Sequence, residues 1–257
     1  QTANRYSPLT QITPTNVGTL QQVWSVHLKP AGFTGPMRED QAIPIVIGNT
    51  MYLASPYGAV IALDATTGAE KWKFQLPNNE LPSKRGVAYW PGGGGAGNLP
   101  LPPSIVFGST TGKLYSVTAE TGRLNEWFGE NGVISLKTPE VMQTGMIAAY
   151  SLLSSATIYK NLIITGAGTG EGPGGSSGGA GPAGDTRAWD ARTGKLAWTF
   201  HSVPGPGEFG YNTWGRDGAA IPPLPEPCLC CGGPRPGRQG PRDRVSSRHG
   251  AAQVAHG

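Results

Sequence analysis

The chain has 257 residues, of which 40 are Gly and 24 are Pro, and charged residues make up only 14%. Gly and Pro at this density leave no long helical windows, and no run of about 18 apolar residues is present to cross a membrane as a helix. The formal charge of +4 is uneven: residues 1–214 carry +1 and residues 215–257 carry +3, so the near-neutral body has no electrostatic footprint for nucleic acid.

The length predicts one or two domains with a sizeable core. Gln1 opens neither a basic start nor an apolar stretch, so no secretory leader is read there. The first predicted strand is Gln22–His27. Two more, Ile43–Ile47 and Thr50–Ala54, flank a Gly48-Asn49 turn.

A repeat then takes over. Residues 58–74 read GAVIALDATTGAEKWKF, residues 112–128 read GKLYSVTAETGRLNEWF, and residues 184–200 read GDTRAWDARTGKLAWTF. Each copy is a strand-like run, a polar turn ending in Thr-Gly, and a second run carrying Trp. Asp64 and Asp190 are placed to accept from backbone N–H groups two residues on. Gly68, Gly122 and Gly194 can take the positive φ that closes a hairpin. Trp72 and Trp198 follow their turn glycines by four residues, and Trp127 follows by five. These indoles, with Trp24, are expected to fill the gap between neighbouring sheets. Ser104–Gly108 and Leu162–Gly166 supply further strands ahead of the second and third copies. Four short strands per unit, repeated at this scale, predict a β-propeller of three to four blades, where a closed ring takes about four to eight.

Between the last two copies lies TGAGTGEG at 165–172. It imitates a dinucleotide-binding turn, but the following GPGGSSGGAGPAG cannot start the helix such a site needs, so a long loop is expected. His27 and His201 sit in strand-like runs and are read as packed or hydrogen-bonded residues. After Trp214 the chain has no aromatic residue, and 15 of its last 43 residues are Gly or Pro. This predicts a disordered tail over 215–257. Cys228, Cys230 and Cys231 lie there, without zinc-ligand spacing.

The Ala-x-Asp-x-x-Thr-Gly-x-x-x-Trp repeat resembles the tryptophan-docking motif of dehydrogenases that depend on pyrroloquinoline quinone (PQQ). RYSPLTQITPTNVGTLQQVWSV at 5–26, IPIVIGNTMYLASPYGAVIALDATTGAEKW at 43–72, KRGVAYWPG at 84–92 and TGKLAWTFHSVPGPGEFGYNTW at 193–214 are similar to segments of the same family. The resemblance implies an all-β, eight-bladed quinoprotein propeller, of which residues 1–214 supply an incomplete part. It implies PQQ and calcium as cofactors and a small alcohol or sugar as substrate. It also implies a quinone or cytochrome c as electron acceptor and a periplasmic location, with possible membrane association in a full-length relative.

Three residues carry the implied site. Arg85 matches the arginine that contacts the quinone oxygens, a task suited to a guanidinium. Gln41 falls where relatives carry a glutamate touching PQQ, with Glu39 near but out of register; an amide can still hydrogen-bond a carboxylate. Glu171 matches the calcium ligand, a hard oxygen donor.

The resemblance stops after Trp214, where later blades and a catalytic Asp would follow. A truncated or frameshifted reading frame is the expectation, leaving this chain inactive by itself and prone to self-association through an open propeller edge. The alternative is a non-catalytic propeller scaffold of the cell envelope, like the lipoprotein of the outer-membrane barrel assembly machinery. That reading predicts no Arg-Gly-x-x-Tyr segment.

Overall fold

The computed structural model describes residues 10–95, 99–142, 150–168, 184–202, 204 and 207–211. These residues form three four-stranded antiparallel sheets in chain order, each a simple meander, as the repeat predicts. The first sheet contains β1 (Ile45–Ile47), β2 (Thr50–Ser55), β3 (Ala59–Asp64) and β4 (Glu70–Gln75). The second starts with β5 (Ala88–Trp90), is interrupted by a small ribbon of β6 (Gly93–Gly94) and β7 (Pro100–Leu101), and continues with β8 (Ser104–Gly108), β9 (Lys113–Thr118) and β10 (Val133–Ser135). The third contains β11 (Thr157–Tyr159), β12 (Leu162–Thr165), β13 (Thr186–Asp190) and β14 (Leu196–Phe200). One helical turn, α1 (Pro139–Met142), lies between the second and third sheets. Among the described residues no helix is long and apolar enough to cross a membrane.

The sheets stack face to face as propeller blades, because alternate residues along each strand point to opposite faces. Tyr52, Ala54, Val60, Ala62 and Trp72 of the first blade pack on Ile105, Phe107, Tyr115 and Val117 of the second. The other face of the second blade carries Val106, Leu114 and Trp90, which pack with Ile163 and Trp189 of the third. On the far side of the first blade, Leu53, Ile61 and Leu63 are covered by Trp24, Leu28 and Met51.

The turns take the form the sequence predicts. Asp64 Oδ1 accepts from the N–H groups of Thr66 and Thr67, both at 3.0 Å, and Asp190 Oδ1 accepts from Arg192 N–H at 2.8 Å. Gly68, Gly122 and Gly194 have φ of 73°, 68° and 73°. Two of these glycines, Gly68 and Gly122, also receive indoles. A Cβ on Gly68 would lie 2.7 Å from Trp24, and one on Gly122 would lie 2.5 Å from Trp72. Trp24 Nε1 donates to Ala65 O at 3.2 Å, and Trp72 Nε1 donates to Ala119 O at 2.9 Å. Each alanine follows the first residue of the receiving turn, so flat aromatic face and carbonyl acceptor are fixed by one motif.

Two strand expectations fail. Gln22–His27 forms no strand and pairs with none among the described residues; Val23 is 83% exposed and His27 is exposed rather than packed. The Trp-bearing run of the second copy is not a strand either. Asn125 Nδ2 donates to the hydroxyls of Ser104 and Ser116, at 2.7 and 2.8 Å, and draws the chain inward. The excursion ends at Gly129 and Asn131, both with positive φ, and the outer strand resumes only at β10. The predicted tail, its three cysteines and most of the glycine-rich segment lie outside the described residues.

Candidate functional site

The site is built on the loop that joins the first blade to the second. After β4 the chain makes a 3₁₀ turn at Pro77–Asn79, with Asn78 and Asn79 at φ of 53° and 56°, a conformation that asparagine tolerates better than most residues. Glu80 then turns into the protein, where it is 4% exposed. Its carboxylate accepts from Ser109 Oγ at 2.7 Å, Tyr115 OH at 2.6 Å and Lys113 Nζ at 3.3 Å. Burial, together with the Glu80 carboxylate, pushes the Tyr115 phenol far above its ordinary pKa.

Downstream the loop is tied to the same hairpin by its backbone. Thr110 N–H donates to Leu81 O at 3.0 Å, and Ser83 N–H donates to Gly108 O at 2.7 Å. Ser83 Oγ closes the next turn by donating to Gly86 O at 2.6 Å. Arg85 follows at a point where three blades meet. Its N–H donates to Leu153 O, ahead of the third blade, at 3.2 Å; its carbonyl accepts from Ile43 N–H, ahead of the first, at 3.4 Å. Gly86 adopts φ of 119°, and a Cβ there would sit 2.8 Å from Ile43 O, so the close approach requires glycine.

This pairing runs the segments that carry two of the three expected site residues alongside each other. Ile43 forms a parallel bridge with Gly86, which sets Gln41 on the strand-like segment running beside Arg85. Both side chains are exposed. Arg85 Nη1 donates to Ser154 Oγ at 3.4 Å, and among the described residues no carboxylate pairs with it. Ser154 is 69 residues away in sequence, and no local signal marks it. A cleft of about 310 Å³ is lined by the residues just before Gln41 and Arg85, namely Arg38, Glu39, Asp40, Ser83 and Lys84, with Ser55 among others; neither Gln41 nor Arg85 lines it. Asp40 is turned into its own segment, accepting from Ala42 N–H at 2.9 Å.

A guanidinium held at its backbone, supported by one hydroxyl and unpaired with an acid, suits a ligand rich in anionic oxygens. The residues present therefore fit the carboxylates and quinone oxygens of PQQ. For calcium, the described residues hold no group of three or more His, Cys, Asp or Glu able to bind a metal ion. Glu171 lies outside the described residues. The other histidine, His201, is hydrogen-bonded as expected: its Nδ1 is 3.1 Å from Asp185 Oδ2, which also pairs with buried Arg187 at 2.9 Å.

Comparison with known proteins agrees with the fold. The model of the PQQ glucose/ethanol/alcohol dehydrogenase β-propeller domain matches residues 1–221. The dehydrogenase subunit of alcohol dehydrogenase (quinone) from Gluconobacter oxydans is 30% identical over 237 residues, covering 84% of this chain and 27% of that protein. The quinoprotein glucose dehydrogenase of the same organism is 33% identical over 225 residues, covering 81% and 27%. The crystal structure of quinohemoprotein alcohol dehydrogenase from Comamonas testosteroni superposes with a TM-score of 0.57 at 26% identity, covering 78% of this chain and 26% of that one. The chain thus spans about a quarter of the length of the relatives it matches. Three stacked blades with docked tryptophans, and a match over most of the chain, place this protein in the family of PQQ-dependent glucose/ethanol/alcohol dehydrogenase β-propellers.

Proposed function

We propose that this chain holds the quinone cofactor of a PQQ-dependent dehydrogenase that oxidises an alcohol or sugar and passes electrons to a quinone or cytochrome c. The observation that carries the reading is Arg85, exposed and without an acidic partner among the described residues, fixed where the leading segments of three blades meet. PQQ, when bound, supplies the two-electron acceptor chemistry. Arg85 donates to anionic oxygens at that position, and Ser154 orients its guanidinium. Gln41, on the neighbouring segment, donates from its side-chain amide. Gly86 lets the two segments approach closely enough for both to face one ligand. Glu171 is assigned to calcium as a hard oxygen donor.

We assign no substrate-deprotonating base to this chain, so binding without turnover is the expected behaviour of the chain by itself. The working compartment under this reading is the periplasm. Leu196, Trp198 and Phe200, exposed at 39%, 40% and 65% on the outer strand of the third blade, support self-association of that face.

The test is titration of the full chain with PQQ in the presence of calcium, followed by tryptophan fluorescence. Saturable quenching is expected, with affinity weakened about tenfold or more in Arg85→Ala, since a hydrogen bond to a charged group is worth about 1.5–3 kcal/mol. Absence of saturable quenching, or equal affinity in Arg85→Ala, would remove the reading and favour a cofactor-free scaffold.

A further inference from the structure

The buried carboxylate nearest the site in sequence is Glu80, five residues before Arg85, and the reading above gives it no part. Three donors surround it, Ser109 Oγ at 2.7 Å, Tyr115 OH at 2.6 Å and Lys113 Nζ at 3.3 Å, and the Glu80 backbone N–H is bonded separately to Pro77 O at 3.0 Å. Lys113 is partly exposed, whereas the Glu80 side chain is 2% exposed. A carboxylate this deep is costly unless fully satisfied, and here it is. Its partners all belong to the β8–β9 hairpin of the second blade, so it fixes the entry of the Arg85 loop to that blade.

The rest of the loop leaves little slack between that anchor and Arg85. Leu81 O and Ser83 N–H are bonded to the same hairpin, Pro82 forms a bridge with Ser109, and Ser83 Oγ caps the turn at Gly86. Ser109 has two tasks, donating to Glu80 and accepting from Lys113 N–H at 3.2 Å. The hairpin tip is thereby shaped by the carboxylate as well as gripping it. Losing the charge would leave Tyr115 OH and Ser109 Oγ competing for a weaker acceptor and Lys113 without a counter-ion.

We propose that Glu80 is a positioning residue for the quinone site: its buried bonds to Ser109, Lys113 and Tyr115 hold the 81–86 loop so that Arg85 presents its guanidinium to the ligand. The proposal rests on the assignment of Arg85 to PQQ, but it makes a separate statement about the loop. Glu80→Gln keeps the size and one acceptor while removing the charge. Tyr115→Phe removes a single bond and keeps the ring stacked on Phe107, serving as the milder variant should Glu80→Gln fail to fold.

Two measurements on the full chain test it. Hydrogen exchange without ligand reads the loop alone: the Ser83 and Arg85 amides are expected to exchange about tenfold faster in Glu80→Gln, while amides of the third blade stay unchanged. PQQ titration with calcium reads the consequence: Glu80→Gln should weaken affinity roughly tenfold in the Arg85 chain but less than about twofold in an Arg85→Ala background, the non-additivity expected of a residue acting through another. Unchanged exchange at Ser83 and Arg85, or equal loss of affinity in both backgrounds, overturns the positioning role. Faster exchange in a chain whose affinity ignores Arg85→Ala would instead sink the ligand assignment and leave the loop anchor standing.

Discussion

At the junction of the first and second blades, Trp72 is 9% exposed, lies against Gly122 and donates to Ala119 O at 2.9 Å. At the junction of the second and third, Trp127 has a buried Nε1 with no hydrogen-bond partner among the described residues, and its blade instead brings Gly129 and Ile134 against Gly194. Gly129 N–H donates to Thr193 O at 3.0 Å, so at the third-copy turn the second junction is closed by backbone, while its indole bond across the blades comes from Trp90, whose Nε1 donates to Asn161 Oδ1 at 3.3 Å. The two junctions come from copies of one repeat that differ by a single residue between the turn glycine and the Trp. That residue, with buried Asn125, replaces a continuous outer strand by the 125–131 excursion. A docking motif therefore works only while strand register carries the indole to the next turn.

The largest expected effect that separates the junctions is Trp72→Ala, which empties the first junction and should cost about 3–5 kcal/mol in denaturant unfolding. Gly122→Ala should cost about 1–3 kcal/mol, because the new Cβ meets the Trp72 ring at 2.5 Å and sits at positive φ. Trp72→Phe leaves Ala119 O with Tyr52 OH as its remaining side-chain donor and should cost about 1 kcal/mol beyond the lost ring volume. Trp127→Phe removes an unsatisfied donor and should lie within about 0.5 kcal/mol of the parent. Equal losses at Trp72 and Trp127 would show that the two indoles are held alike.

The smallest effect concerns the turns. Backbone N–H donation from Thr67 holds the Asp64 carboxyl below its ordinary value of 3.8, and the Arg192 side chain does the same for Asp190. Because both folded values are depressed, each carboxylate adds stability that is present above the ordinary value and is lost as pH falls through the folded one. Melting scans from about pH 5 down to about pH 2 should therefore show a shallower acid limb in Asp64→Asn and Asp190→Asn. The second blade has Thr118 at this position, bonded to Thr121 Oγ1 at 2.6 Å, and Thr118→Val should leave the limb unchanged.

Much of this was legible because the repeat is local chemistry. Asp64, Gly68 and Trp72 each announce a bond, a φ angle or a buried ring within one hairpin. Gln22–His27 reads as a strand by the same rules and fails, because a strand needs a neighbour and the described residues supply none. Trp127 fails for a related reason: Ser104 and Ser116, on other strands, hold Asn125 and take the chain out of register before the indole is reached.

Of the site, Arg85 could be singled out from the KRGVAYW segment and Gln41 from its place ahead of Pro44, both by likeness to a family, yet nothing in sequence tells that Ile43 and Gly86 bridge their two segments. Sequence by itself determined the all-β class, the turn chemistry, the Trp and Gly spacing within each repeat and the near-neutral charge of the body, since these depend on composition or on residues a few positions apart. Tertiary structure decided which indole docks, where Glu80 hides its charge and which blades meet at Arg85. Those outcomes depend on pairings between segments that the chain keeps 29 to 69 residues apart, where only the assembled sheets fix who is near whom.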